Sequence, residues 1–263
     1  MTFTKTSLIN LLNEIVERGW IQIKENRRIN DGRVGNTVED LLGIDENNLP
    51  IPNANEWELK TKKLDSDAYT TLLHKEPSPT ACYFVPKILL PFYGWPHKES
   101  GNKYPVTERS FRLTLSAKNF TDRGFIIEIN YVKKRLQVSF EASKVKVHHE
   151  SWLKEVEQKV GLGQLNPQPY WGFRDLEHYL GTKLLNSFLV EYSVNKEDKT
   201  YFRVVKLTIL EGFNFQNFLN LLSEGRAFIE FDARTGHNHG TKIRVKGKSF
   251  VSLYDQSEVV IGE

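Results

Sequence analysis

The sequence predicts a mixed α/β fold, and three observations carry that expectation. Apolar residues recur at helical spacing in several runs, the first being Leu8, Leu11, Leu12, Ile15 and Val16. Other runs alternate apolar and polar residues with the period of a strand, and they come in local pairs joined by short polar turns. Helices and strands do not alternate regularly, so hairpins are expected rather than repeated βαβ units. There is no internal repeat and no low-complexity segment. With 263 residues the chain can bury a good core, as one large domain or two intimate lobes.

The elements follow in order. Ser7 is the expected N-cap of the first helix and Gly19 its stop. Ile21 to Arg28 reads as a short strand running into the basic loop Lys24-Glu-Asn-Arg-Arg28, which is either simply solvated or a phosphate contact. Asp31 to Gly43 is a glycine-bearing loop followed by a helical turn that presents Glu39 and a glycine stop. Asn47-Asn48-Leu49-Pro50 is a turn, and the strand after it places Trp57 and Leu59 on one face and Glu56, Glu58 and Lys60 on the other. Tyr69 to Lys75 is a second strand with His74 and Lys75 at its polar exit, and Pro77 and Pro79 break the chain after it. Cys82 to Tyr93 reads as a helix interrupted by Pro86 and Pro91. Gly94 to Arg109 has the composition of a connector between lobes.

Strands are expected at Phe111 to Ala117, Phe125 to Val132 and Leu136 to Ala142, with Lys133-Lys134 at a hairpin tip. A helix runs from Ser151 to Val160, and after a proline-containing loop another covers Phe173 to Leu185, with Leu176, Tyr179, Leu180 and Leu184 on its inner face. Phe188 to Val194 and Thr200 to Leu210 form a second hairpin. Phe213 to Leu222 is a helix closed by Gly225, and the last strands are Ala227 to Asp232, Thr241 to Val245 and Val259 to Ile261.

Composition narrows the class without deciding it. The formal charge of +3 neither demands nor excludes nucleic acid, because a basic cleft can coexist with an acidic surface. The single Cys82 excludes an intrachain disulfide and a cysteine-based zinc site, and suits a reducing cytoplasm. No apolar run approaches a membrane span, and the first twenty residues carry acidic groups unlike those of a signal peptide.

Two constellations carry chemistry. In Glu58-Leu59-Lys60 a carboxylate and an ammonium project side by side from one strand face: the carboxylate suits a hard divalent cation, the lysine a phosphate or an attacking water. Any solvated amphipathic strand yields the same triplet, so its weight comes from its surroundings. The second constellation is Asp232 to Arg244, where His237 and His239 lie between Arg234 and Arg244. Two histidines without a third ligand make a poor zinc site. Arginine can bind the O6/N7 edge of guanine through two hydrogen bonds, and histidine can donate or accept at a base edge, so base recognition fits better.

The order of the first constellation (glycine-bearing loop, glutamate on a helix, asparagine turn, strand ending in E-x-K) resembles the MvaI/BcnI family of restriction endonucleases, relatives of the repair nickase MutH among the PD-(D/E)xK nucleases. Near the C-terminus His237-Asn238-His239-Gly240 resembles the family's H-D-[HR]-G recognition element, and His74-Lys75 resembles an H-K pair of BcnI-like members. The resemblance implies a restriction-endonuclease-like core, a mixed sheet flanked by helices, with a catalytic lobe over 1–108 and a β-rich DNA-recognition lobe over 109–263, the boundary being approximate and interleaving of the lobes allowed. It implies Glu39, Asn53, Glu58 and Lys60 as the catalytic set, with Mg²⁺ held by Asn53, Glu58 and the Leu59 carbonyl. Mn²⁺ would substitute, and Ca²⁺ would support binding without cleavage. His74, Lys75, Arg234, His237, Asn238, His239 and Arg244 would contact double-stranded DNA. The protein would act as a monomer in a bacterial or archaeal cytoplasm, nicking one strand at a time at a CC-N-GG-like site, with a DNA methyltransferase as its functional partner.

One departure bears on all of this. The family's aspartate falls on Asn53, which keeps an oxygen ligand and loses the charge. A natural variant, a disabled site and a site in which Glu56 takes over all satisfy the sequence. The competing functions are accordingly a DNA-binding protein that does not cut, a methylation-directed nickase of MutH type, and a structural protein without a DNA role.

Overall fold

The computed structural model describes residues 3–24, 32–44 and 50–262. The basic loop at 25–28, Asp31 and the turn at 47–49 lie outside them. The chain forms two compact units, each assembled from separated segments: 1–70, 178–217 and 246–263 in the first, 71–177 and 218–245 in the second. The sequence suggested an approximate boundary near residue 108 with room for the lobes to interleave. The structure divides the chain discontinuously, because the strands at 186–194, 201–213 and 254–261 return to the first unit's sheet. The segment 94–109 is not a connector between the two, since it lies within the second.

The first unit opens with α1 (Lys5–Glu17), β1 (Ile21–Gln22), α2 (Arg33–Leu42) and β2 (Trp57–Lys63). Thr4, not Ser7, is the N-cap of α1: Thr4 Oγ1 accepts from the Ser7 N–H and Ser7 Oγ from the Thr4 N–H, a reciprocal capping box in which Ser7 is the third helical residue. Next in the chain come β3 (Tyr69–His74), α3 (Leu90–Tyr93), β4 (Trp95–Pro96), β5 (Arg109–Leu115), β6 (Arg123–Asn130), β7 (Arg135–Val145), α4 (Glu150–Val160) and β8 (Tyr170–Gly172). They are followed by α5 (Phe173–Leu184), β9 (Asn186–Val194), β10 (Tyr201–Phe213), α6 (Phe215–Ser223), β11 (Ala227–Arg234), β12 (His237–Asn238), β13 (Lys242–Lys246) and β14 (Tyr254–Ile261).

The first unit's sheet has the order β1-β10-β9-β2, with β14 added to β10. Its β2–β9 pair is parallel and the other pairs are antiparallel, which makes the sheet mixed. Its core joins Leu8, Leu12 and Ile15 of α1 and Val34, Val38 and Leu42 of α2 to Trp57, Leu59, Phe188, Val190 and Phe202 of the strands. Leu12 and Val38 are essentially inaccessible, so truncation of such a leucine to alanine would cost about 2–5 kcal/mol. Helix α2 approaches β2 so closely that a Cβ on Gly35 would stand 2.7 Å from Thr61 Oγ1. Glycine at this point of the helix is therefore what lets α2 lie down on the strand that carries Glu58 and Lys60.

In the second unit one sheet has the order β3-β13-β11-β5-β4, with β12 on β11, and another the order β6-β7-β8. The β6–β7 turn is at Tyr131 to Lys134, as the Lys-Lys tip predicts, with Lys134 at φ 48°. Pro86 and Pro91 do not interrupt the helix expected over Cys82–Tyr93: it runs unbroken over 84–93, a wide helical turn at Val85–Leu89 leading directly into α3, because each proline stands at the start of its segment, where no helical N–H is lost. A separate 3-10 turn at Thr80–Cys82 precedes it and is ended by Tyr83 at φ 47°. Aromatic rings fill the core: Phe125 lies 5.0 Å from Phe140 and 5.7 Å from Phe111, and Phe111 5.6 Å from Phe231. Trp152 joins them and donates its indole N–H to the Tyr93 carbonyl.

Candidate functional site

The first constellation converges in the first unit. Among the described residues β2 is an edge strand whose strand partner is β9. On its other edge the turn Ala54 to Trp57 closes back through hydrogen bonds between Ala54 and Trp57, with Asn55 at φ 58°. This fold-back sets Asn53 against the strand two residues on: Asn53 Oδ1 accepts the Leu59 N–H at 2.8 Å. The N–H and C=O of one strand residue face the same edge, so the Leu59 carbonyl also lies on the edge away from β9. Asn53 Nδ2 in turn donates to Glu39 Oε1 at 2.9 Å, and the Asn53 backbone N–H to Glu58 Oε2 at 3.1 Å. A backbone donor such as Leu59 N–H requires an acceptor and a carboxylate requires a donor, which fixes the sense of the amide. Glu56 is exposed, so Asn53 and not Glu56 occupies this position.

Glu58 is only 2 % exposed although charged, and its compensation is local. Lys60 Nζ lies 2.7 Å from Glu58 Oε1, and Lys183 Nζ lies 3.5 Å from the same oxygen. Lys183, in the last turn of α5, also donates to the Ile51 carbonyl at 3.2 Å. Burial pulls the Lys183 ammonium below the usual lysine value, and the charge of Glu58 opposes that shift. Across the parallel pair the register partner of Glu58 is Ser187, whose hydroxyl is 2.6 Å from that of Tyr254. Burial pushes the Tyr254 phenol above its ordinary value, the Ser187 bond opposes this, and the nearby Glu58 charge adds to it.

Glu39, Asn53, Glu58, Lys60 and the Leu59 backbone are therefore brought together as the sequence suggested. Lys183 and the Ser187–Tyr254 pair were not anticipated. The position of Lys183 in the last helical turn before a strand was the available signal. In kind the donors suit a hard cation, since carboxylates, an amide oxygen and a backbone carbonyl are all oxygen ligands. In charge the centre is one carboxylate short, and the Asn53 oxygen already serves Leu59.

The second constellation lies in the second unit. β11 and β12 form a hairpin around Thr235-Gly236, with Arg234 opposite His237 and Gly236 at φ 69°. His237, Asn238 and His239 are exposed, and the two imidazoles meet edge to face at 4.3 Å. Asn238 Oδ1 accepts the Gly240 N–H, and Glu76 accepts from both the N–H and the hydroxyl of Thr241. The Lys75 N–H donates to the Thr241 carbonyl, and His74 lies beside Gly240, so the H-K pair borders this hairpin. Arg234 is held by Glu108 at 2.9 Å and stacks over Tyr104 at 4.5 Å. Arg244 stands apart from the loop, in a ladder on β13 and β11 where Glu230 pairs with both Arg244 and Lys242. A pocket of about 490 Å³ adjoins the hairpin, with Val85, Pro86, Leu90 and Pro91 along it. No helix among the described residues is long and apolar enough to cross a membrane.

A mixed sheet with helices packed against it is the fold of a restriction endonuclease. The whole-chain likeness agrees: a structure of the restriction endonuclease MvaI in complex with its cognate DNA substrate superposes with a TM-score of 0.74 at 19% identity, over 99% of this chain and 100% of that one. The structure of MvaI in the absence of DNA gives 0.54 at 20% identity, again over 99% and 100%. The model of the MvaI/BcnI restriction endonuclease family matches residues 9–254, and the chain belongs to that family. No curated protein sequence matches it.

Proposed function

We propose that the protein is a type II restriction endonuclease that hydrolyses a phosphodiester of double-stranded DNA with Mg²⁺, at a short C/G-rich site of CC-N-GG type and one strand at a time. The observation that carries this reading is the buried Glu58, bonded to Lys60 and to the backbone of Asn53 with Glu39 one hydrogen bond further on. Family membership and the fold shared with MvaI support the class of reaction.

Glu58, the Asn53 side-chain oxygen and the Leu59 carbonyl would hold the cation, and Glu39 would complete the set. Bound Mg²⁺ supplies Lewis-acid stabilisation of the charge that builds on the scissile phosphate. Lys60, only 18% exposed at its side chain, orients the attacking water and accompanies the phosphate. The exposed His237, Asn238 and His239 read base edges, and His74 and Lys75 add contacts beside them. Arg234 serves from a position fixed by Glu108 and Tyr104, and Arg244 takes part through the charge ladder of β13. The protein works as a monomer, with a methyltransferase protecting the host site.

A second reading rests on Asn53. A chain that binds a specific site but does not cut it would use the same hairpin, with the missing carboxylate leaving the centre short of cation affinity. Digestion of supercoiled plasmid in Mg²⁺, followed by mapping of the ends, separates the two. Discrete ends that vanish in Glu58→Gln support the endonuclease. Site-specific binding in Ca²⁺ with intact plasmid in Mg²⁺ supports the second reading.

A further inference from the structure

Lys60 has two tasks that conflict. At 2.7 Å from Glu58 Oε1 it compensates a carboxylate that is 2 % exposed, yet the proposed chemistry requires the same ammonium at the attacking water and the phosphate. A cation on Glu58 would meet much of its charge, but when Lys60 turns away Oε1 loses its hydrogen-bond donor, and a buried carboxylate oxygen without a donor is unfavourable and would swing or draw the lysine back. The structure holds a second ammonium for this oxygen. Lys183 comes from α5, a different element, and its side chain is 13% exposed. It reaches Glu58 Oε1 at 3.5 Å and is anchored by the Ile51 carbonyl at 3.2 Å. A lysine in a last helical turn usually serves the helix dipole from solvent. This one is turned inward, and only two residues separate its helix end from Ser187, the register partner of Glu58.

We propose that Lys183 is a positioning residue of the nuclease centre: it keeps the Glu58 carboxylate compensated and in place while Lys60 leaves it for the water and the phosphate. The inference rests on the endonuclease reading for its chemistry, but its core, that Lys183 and a cation compete for Glu58, is measurable without cleavage. Lys183 adds positive charge next to the carboxylate that would bind a cation, so it weakens cation binding while it speeds the reaction. A lysine that served only packing would not separate the two effects.

The test compares the full chain with Lys183→Met and Lys183→Arg. Mn²⁺ affinity is read by electron paramagnetic resonance without DNA, and single-turnover cleavage at saturating Mn²⁺ on plasmid; both are repeated in the Asn53→Asp background. Lys183→Met should bind Mn²⁺ about tenfold more tightly and cleave about tenfold more slowly, and Lys183→Arg should restore the rate. The inference is overturned by unchanged or weaker Mn²⁺ affinity in Lys183→Met, or by absence of Mn²⁺ binding in both backgrounds. Tighter Mn²⁺ binding in a protein that cleaves in neither background would uphold the Lys183–Glu58 competition and reject the endonuclease reading.

Discussion

Asn53 and Glu39 are joined by a hydrogen bond in which the asparagine donates, Nδ2 to Oε1 at 2.9 Å, while its oxygen takes the Leu59 N–H. An aspartate at this place could accept from Leu59 but would face Glu39 with a second negative charge. A cation would then be needed between them. Asparagine replaces that need with a hydrogen bond, and together with Lys60 and Lys183 it lets the centre stand charge-balanced without metal.

Substitution of Asn53 by aspartate should therefore destabilise the metal-free protein by about 1–3 kcal/mol, the cost of losing a hydrogen bond to a charged group and adding repulsion. Added Mg²⁺ should recover more stability in Asn53→Asp than in the unsubstituted chain. Urea unfolding with and without Mg²⁺ measures both.

Gly35 tests the placement of α2. A Cβ there would meet Thr61 Oγ1 at 2.7 Å, so Gly35→Ala should cost about 1 kcal/mol despite the better helix propensity of alanine. Because the displaced helix carries Glu39, divalent affinity should fall as well. Thr61→Ala in the same chain should return both quantities, and a double-mutant cycle reads the coupling.

Glu76 ties down the chain just after the β11–β12 hairpin by accepting from the N–H and the hydroxyl of Thr241. Glu76→Ala should speed hydrogen exchange at the Thr241 amide and weaken DNA binding several-fold. Divalent affinity in the first unit should not change.

The buried Tyr254 carries a pH dependence. Its phenol titrates above the ordinary value of 10.0 because burial disfavours the phenolate. In the unfolded chain the group ionises near its ordinary value, so between there and the raised folded value the native state binds more protons. The stability from this group is fully present below pH 10 and is lost as pH rises beyond it. Unfolding free energies at pH 8 and pH 11 should fall more steeply for the unsubstituted protein than for Tyr254→Phe.

Much of the centre was legible because it is local: Asn53, Glu58 and Lys60 lie within eight residues, and strand alternation alone sets the carboxylate beside the ammonium. Lys183 was not legible. It reaches Glu58 through the parallel β2–β9 pairing, between strands far apart in sequence, and on a helical wheel it reads as a solvated neighbour of Leu180 and Leu184. The order in which segments join the two units was not legible for the same reason, since the strands that complete the first sheet follow the second unit's opening stretch. Arg244 was grouped with the histidine loop by proximity, whereas the β13 register turns it toward Glu230. Thr4 took the cap from Ser7 because the threonine and serine satisfy each other's backbone N–H, which a single-residue signal does not reveal.

The most direct test sets the unsubstituted chain beside Asn53→Asp on supercoiled plasmid across a Mg²⁺ series, with the ends mapped. If position 53 is a cation ligand of a nuclease centre, Asn53→Asp cuts at lower Mg²⁺ and faster, at the same discrete site. Equal or slower cutting by Asn53→Asp at every Mg²⁺ concentration, or cutting at no defined site, would contradict that placement.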